Sequence, residues 1–182
     1  MRSAAIAVLL CVVSPAQAAP AVYGIGRAPR AEEVRAANIS VAPGGEGLPA
    51  GRGSSQDGAA LYHQLCAACH GARGEGIGDV PALVGGRGSL ATASPILTVG
   101  SYWPYATTLW DYTRRAMPYF SPGALSADQV YALTAFVLQQ NGVIPADTIL
   151  TEVTLPRVQM PNRDGFVADP RPDVPPPRAR VR

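Results

Sequence analysis

The sequence predicts an all-α domain with long extended arms at both ends, and three observations lead there. Helical periodicity recurs in three stretches between residues 56 and 142, no strand pattern persists long enough to build a sheet, and the Gly (19) and Pro (18) residues make long irregular segments around a modest core. At 182 residues, with 47% hydrophobic and 15% charged content, the chain suits one folded domain with sizeable flanks and argues against wholesale disorder. Its net charge of +2 is too small for a nucleic-acid partner. Every basic residue other than the two His is Arg.

In chain order, residues 1–18 read as a secretory signal peptide. Arg2 gives the positive start, Ala4 to Val13 form an apolar run, and Ala16-Gln17-Ala18 supplies a small-residue cleavage site. That run is too short to span a bilayer, which takes about 20 residues, so the expectation is export to the periplasm with no membrane span. Cys11 leaves with the signal. Residues 19–55 follow as an extended arm with one short helix near Ala31 to Ala37. A helix begins at Gln56, behind the possible caps Ser54 and Ser55, and runs through Leu61, Tyr62 and Leu65. Gly-rich residues 71–101 read as loop. Pro104 to Ala116 reads as a second helix with Leu109, Tyr112 and Ala116 on one face, ended by Pro118.

The clearest helix starts at Ser126. Ser126-Ala127-Asp128-Gln129 is a capping box, Val130, Leu133, Phe136 and Val137 follow at helical spacing, and Gly142 is suited to end it after Asn141. The domain therefore spans 56–142. Residues 143–182 form a Pro-rich extended arm, with a short strand-like piece at Ile149 to Leu155 and polyproline II character at Pro175-Pro176-Pro177.

The chemistry lies in Cys66-Ala67-Ala68-Cys69-His70, a C-x-x-C-H sequence at the end of a predicted helix in an exported chain, which is the attachment motif of c-type haem. Two thiols three positions apart near a helix end project to one side and can each add to a vinyl group. The adjacent His70 is then carried under the ring to ligate iron. A thioredoxin-like redox pair would need a βαβ context that is missing here. Zinc would need more ligands than two Cys and one His.

A sixth ligand has three candidates. Met117 lies in a Met-Pro pair between two predicted helices, where a loop can carry its sulfur across the other haem face. Met160 also precedes a proline but sits in the tail, where packing is its expected role. His63 is one turn before Cys66 on the same helix and points away from that face. The residues thus point to one covalent haem c held by Cys66 and Cys69, with His70 and Met117 as iron ligands. No Ser-His-Asp or Cys-His constellation is left over, so catalysis belongs to a partner.

These residues resemble a class I cytochrome c, whose fold sets three to four helices around one haem. In that family a Gly and an aromatic on the first helix pack against a Leu and an aromatic on the last; Gly58, Tyr62, Leu133 and Phe136 match. The resemblance implies that Pro81 offers its carbonyl to the His70 ring N–H and that Leu83 packs on the haem. A narrower resemblance, to the cytochrome subunit of periplasmic molybdenum sulfite or sulfane dehydrogenases of sulfur oxidation, rests on Tyr23 to Arg27, Val99 to Ala106, Trp110 to Tyr112, Arg115 to Pro118 and Met160 to Phe166.

That likeness implies a heterodimer with a molybdenum-containing dehydrogenase subunit, passing single electrons to a downstream cytochrome or oxidase. Trp103, with Tyr102 and Trp110, would then pack the haem pocket or bond propionates, and Arg87, Arg114 or Arg115 could pair with propionates. The arms, 19–55 and 143–170, would wrap the catalytic partner. Two other readings stay open: a free periplasmic shuttle, separable by its failure to copurify with one large partner, and a haem sensor in which Met117 dissociates, separable by tight carbon monoxide binding.

Overall fold

The computed structural model describes residues 25–171 and Asp173; the expected signal peptide and the Pro175–Pro177 run lie outside them. Two compact units divide the chain, the first ending at Ala37 and the second beginning at Asn38. In the first, helix α1, Ala31–Ala37, opens on Glu32 and Glu33. Glu33 accepts from the Arg27 guanidinium at 2.8 Å and from the Arg30 backbone N–H at 2.7 Å. Those bonds, that from Arg27 above all, hold its carboxyl down at about 2. No residue of α1 is buried.

The second unit is built on α2 (Ser55–Leu65), α3 (Ala67–His70), α4 (Ala106–Ala116) and α5 (Ala127–Gln140), joined by a ribbon of β1 (Arg52–Ser54) and β2 (Ile149–Thr151). Both long predicted helices with caps start where their side chains dictate. Ser54 caps α2 and Ser126 caps α5, each in a capping box closed by Asp57 and Gln129 respectively. The helix expected from Pro104 begins two residues later, with Tyr105 at its N-cap, and ends with Met117 at its C-cap. Gly142 takes φ +62° just past α5, as a residue closing a helix must.

α5 is the central element. Every residue from Val130 to Leu138 is buried, because α2, α4 and the ribbon all pack on it. The α2 crossing depends on Gly58: a Cβ there would meet the Ala132 backbone carbon at 2.6 Å and Phe136 Cβ at 2.8 Å. Tyr62, one turn on, lies 4.8 Å from the Phe136 ring, centroid to centroid. The Gly58, Tyr62, Leu133 and Phe136 pattern in the sequence is therefore a helix crossing in the structure.

The flanks differ from the expectation in one respect. β1 pairs antiparallel with β2, Gly53 opposite Leu150, so the two arms meet each other on α5 and a small sheet exists. Three residues per strand are too few to show alternation, and Gly53 has a packing reason invisible in sequence, since a Cβ would run into the Ala132 backbone. Val41, Ile144, Leu150, Leu155 and Met160 are all part of the buried core. Residues 41–54 and 144–160 are thus committed largely to the chain's own domain, because these apolar side chains find their burial there and not on a partner.

Candidate functional site

A break between two helices sets the site's first wall. Cys66 leaves helical geometry at φ −123°, ψ −36°, ending α2 and starting α3. Its carbonyl accepts from both Cys69 N (3.1 Å) and His70 N (2.9 Å), so the C-x-x-C-H residues form one tight turn. Gly71, at φ +81°, then turns the chain out, and its carbonyl accepts from the Tyr62 hydroxyl at 3.0 Å. That left-handed φ strains any residue with a Cβ, whereas the Glu75 carboxylate beside position 71 could swing aside.

Beside this turn lies a partly open cleft with a cavity volume of about 120 Å³. Cys66, Cys69 and His70 line it, together with Leu83, Trp103 and Met117 from distant parts of the chain. The rest of the lining is mainly apolar, with Tyr62, Leu65, Val99, Leu109, Leu133 and Val137 among it. The structure thus gathers six of the seven sequence-predicted site residues into one cavity. The seventh, Pro81, is exposed and outside the lining.

Pro81 also fails to make the bond the resemblance implies. His70 Nδ1 is buried with no hydrogen-bond partner among the described residues. The intervening turn is anchored elsewhere: Leu83 N and Val84 N both donate to the Gly74 carbonyl, at 2.8 and 3.0 Å. That draws Leu83 inward and leaves Pro81 outside. Asn141, expected only to end α5, fixes the same loop, donating from Nδ2 to the Leu83 carbonyl (3.1 Å) and accepting from Gly85 N (3.1 Å).

Met117 stands at the C-terminus of α4, half-buried, its N–H donating to the Thr113 carbonyl at 3.1 Å. The rival ligands are elsewhere. Met160 is 4% exposed in the core and His63 is exposed to solvent; neither lines the cleft. Trp110 is also in the core, against Tyr131 at 5.4 Å, and Tyr102 stacks on Phe166 at 5.2 Å, so Trp103 alone of the three lines the cavity. None of the three arginines does either: Arg87 reaches the Asn141 carbonyl, Arg114 lies over Trp110, and Arg115 pairs with Asp111.

Thr113, Tyr119 and Val99 were missed as lining residues. Thr113 had a signal, since it lies one turn from both Leu109 and Met117 on one helix face. Val99, in a Gly-rich loop without period, had none.

Cys66 and Cys69 form no disulfide with each other. Burial, reinforced by Cys69 nearby, pushes the Cys66 thiol up to about 11. A dithiol redox pair works by the opposite shift, so this environment disfavours disulfide exchange. Two thiols, an imidazole and a thioether converging on an apolar cleft are the donor set of a c-type haem, and the residues present fit that group. No helix among the described residues is long and apolar enough to cross a membrane.

Comparison with known proteins gives the same answer. The family model described as cytochrome c matches residues 55–141. The crystal structure of the sulfane dehydrogenase SoxCD from Paracoccus pantotrophus is similar with a TM-score of 0.76 and 44% identity, over 82% of this chain and 73% of that one. Thiosulfate dehydrogenase TsdBA from Marichromatium purpuratum matches at a TM-score of 0.37 and 27% identity, over 47% of this chain and 17% of its own, and bears no argument. No curated protein sequence matches.

Proposed function

The chain belongs to the class I cytochrome c family, carries covalently bound haem c and serves electron transfer; from that premise we propose that it is a periplasmic single-haem subunit accepting electrons from a molybdenum-containing sulfite or sulfane dehydrogenase. The observation that carries this reading is the cleft that Cys66, Cys69, His70 and Met117 line together. Haem c bound there supplies a one-electron couple.

The chain's own residues do the rest. Cys66 and Cys69 would hold the group through thioethers, and His70, carried on the same turn, would ligate its iron. Met117 would offer the group a thioether sulfur, which favours ferrous iron and so suits an acceptor. With His70 and Met117 both holding the group, the site would serve electron transfer and not oxygen or peroxide chemistry. Leu83, Val99, Leu109, Leu133 and Val137 keep water away, which raises the cost of ferric charge in the same direction.

The partner and the substrate class follow from likeness to a sulfane dehydrogenase complex and from the sequence resemblance. A chain with a signal peptide and C-x-x-C-H supports periplasmic assembly. Since residues 41–54 and 144–160 are occupied by the chain's own core, contact with the partner falls to the exposed segments, 25–37 and 163–171. Copurification from the native source, followed by addition of sulfite, thiosulfate or protein-bound sulfane sulfur, tests the reading. Reduction of the haem by one of these through a stoichiometric molybdenum partner is expected; a protein isolated alone, reduced by many donors, would instead identify a free shuttle.

A further inference from the structure

α4 is held from behind. Thr107, Asp111 and Arg115 recur every four residues and form one row along it. Thr107 Oγ1 donates to the Pro43 carbonyl at 3.1 Å. Asp111 Oδ1 accepts from the Val41 backbone N–H at 2.9 Å and from Arg115 Nε at 3.0 Å. The second Asp111 oxygen takes Arg115 again, at 2.5 Å. Leu109, Thr113 and Met117 form a parallel row offset by two residues, about 200° around the helix at 3.6 residues per turn, and all three line the cleft.

The segment gripping the rear row is shaped for it. Ala42 N donates to the Glu46 carbonyl at 2.9 Å, closing a turn in which Gly45 and Gly47 take φ +98° and +91°. A Cβ at 47 would strike the Ser40 carbonyl. Further on, Tyr131 Oη on α5 donates to the Pro49 carbonyl at 2.9 Å. Asp111 itself is 7% exposed, and a carboxylate so placed, with three donors on it, admits little rotation of the helix that carries it.

We propose that residues 41–49 form a strap that fixes the rotation of α4, and that Asp111 is a positioning residue which, from the opposite face, aims Met117 into the cleft. This rests on the reading of Met117 as the iron ligand. The strap bonds backbone groups of residues 41 and 43 to a helix some 60–70 positions away in sequence. Rotation of α4 would carry Met117, whose N–H is bonded to the Thr113 carbonyl, away from the cleft, and the rear row resists that rotation. Sequence separation is irrelevant to this constraint, since all the partners lie in the second compact unit.

The test uses the ferric holoprotein titrated with imidazole, which displaces a weakly held methionine sulfur from iron and abolishes the methionine-to-iron absorption band. Asp111→Asn and Thr107→Val should each tighten apparent imidazole binding by at least about fivefold, the effect of transmitting part of one lost hydrogen bond, and should lower the reduction potential. Leu150→Ala, which loosens the core at β2 without touching the strap or the cleft, is the control for general loosening and should leave imidazole affinity unchanged. Unchanged affinity in both α4 variants overturns the proposal, as does an equal shift in Leu150→Ala. If Asp111→Asn does not fold, Thr107→Val against Leu150→Ala decides alone. Persistence of the band in Met117→Ala would refute the ligand reading itself, a separate result from failure of the strap.

Discussion

Gly58→Ala distinguishes a helix crossing from a helix that merely tolerates glycine, because the two views predict opposite signs. In an exposed helix the change gains about 1 kcal/mol from propensity. In α2 the new Cβ would meet the Ala132 backbone carbon at 2.6 Å and Phe136 Cβ at 2.8 Å, and the first obstacle is main chain of the central helix, which cannot swing aside. Overpacking of this kind costs typically about 1–3 kcal/mol, and a backbone obstacle belongs at the upper end. Steric loss therefore exceeds the propensity gain, leaving about 1–2 kcal/mol of net destabilisation, or roughly 3–8 °C in Tm for a domain of this size. Thermal and guanidinium unfolding of the holoprotein, followed by circular dichroism, reads it directly. Ala60→Gly, at an exposed position of the same helix, calibrates propensity alone at about 1 kcal/mol in the opposite substitution. A Gly58→Ala protein as stable as the parent, or more so, would refute the crossing.

Asp111 gives an acid prediction. Burial raises its carboxyl, but the Arg115 guanidinium and Val41 N–H outweigh burial and hold it below the usual carboxylate value. Its contribution is therefore fully present above about pH 4, the ordinary range of an unfolded Asp, and is lost as pH falls through the lowered native value; Asp111→Asn, less stable at neutral pH by about 1.5–3 kcal/mol, should lack that acid component in unfolding curves at stepped pH. Leu150→Ala, at a fully buried residue of β2, should cost about 2–5 kcal/mol measured by denaturation, whereas a mere arm would lose almost nothing. These two variants probe opposite ends of the chain's flanks.

Much of this was legible before any coordinates. The possible caps Ser54 and Ser55 and the capping box at Ser126 placed two helices to within a residue, since side chain and backbone there specify each other locally. The spacing of Gly58 and Tyr62 against Leu133 and Phe136 carried a tertiary contact, and C-x-x-C-H carried a turn. What escaped notice depended on partners far along the chain. The flanking ribbon needed Gly53 and Leu150 to find each other across α5, and three-residue strands leave no period. Asn141 looked like a helix end because its second task, holding Gly85 and Leu83, is set by a loop of no regular pattern. For Pro81 the resemblance implied a bond to the His70 ring, and among the described residues His70 Nδ1 has no partner.

The central claim is that one cleft joins His70 of the C-x-x-C-H turn to Met117 at the end of α4. Its most direct measurement is the absorption spectrum and reduction potential of Met117→Ala beside Met160→Ala. The account predicts that Met117→Ala keeps covalent haem, loses the methionine-to-iron band and falls in potential, while Met160→Ala keeps the band and loses only stability. A band that survives in Met117→Ala and vanishes in Met160→Ala would contradict it.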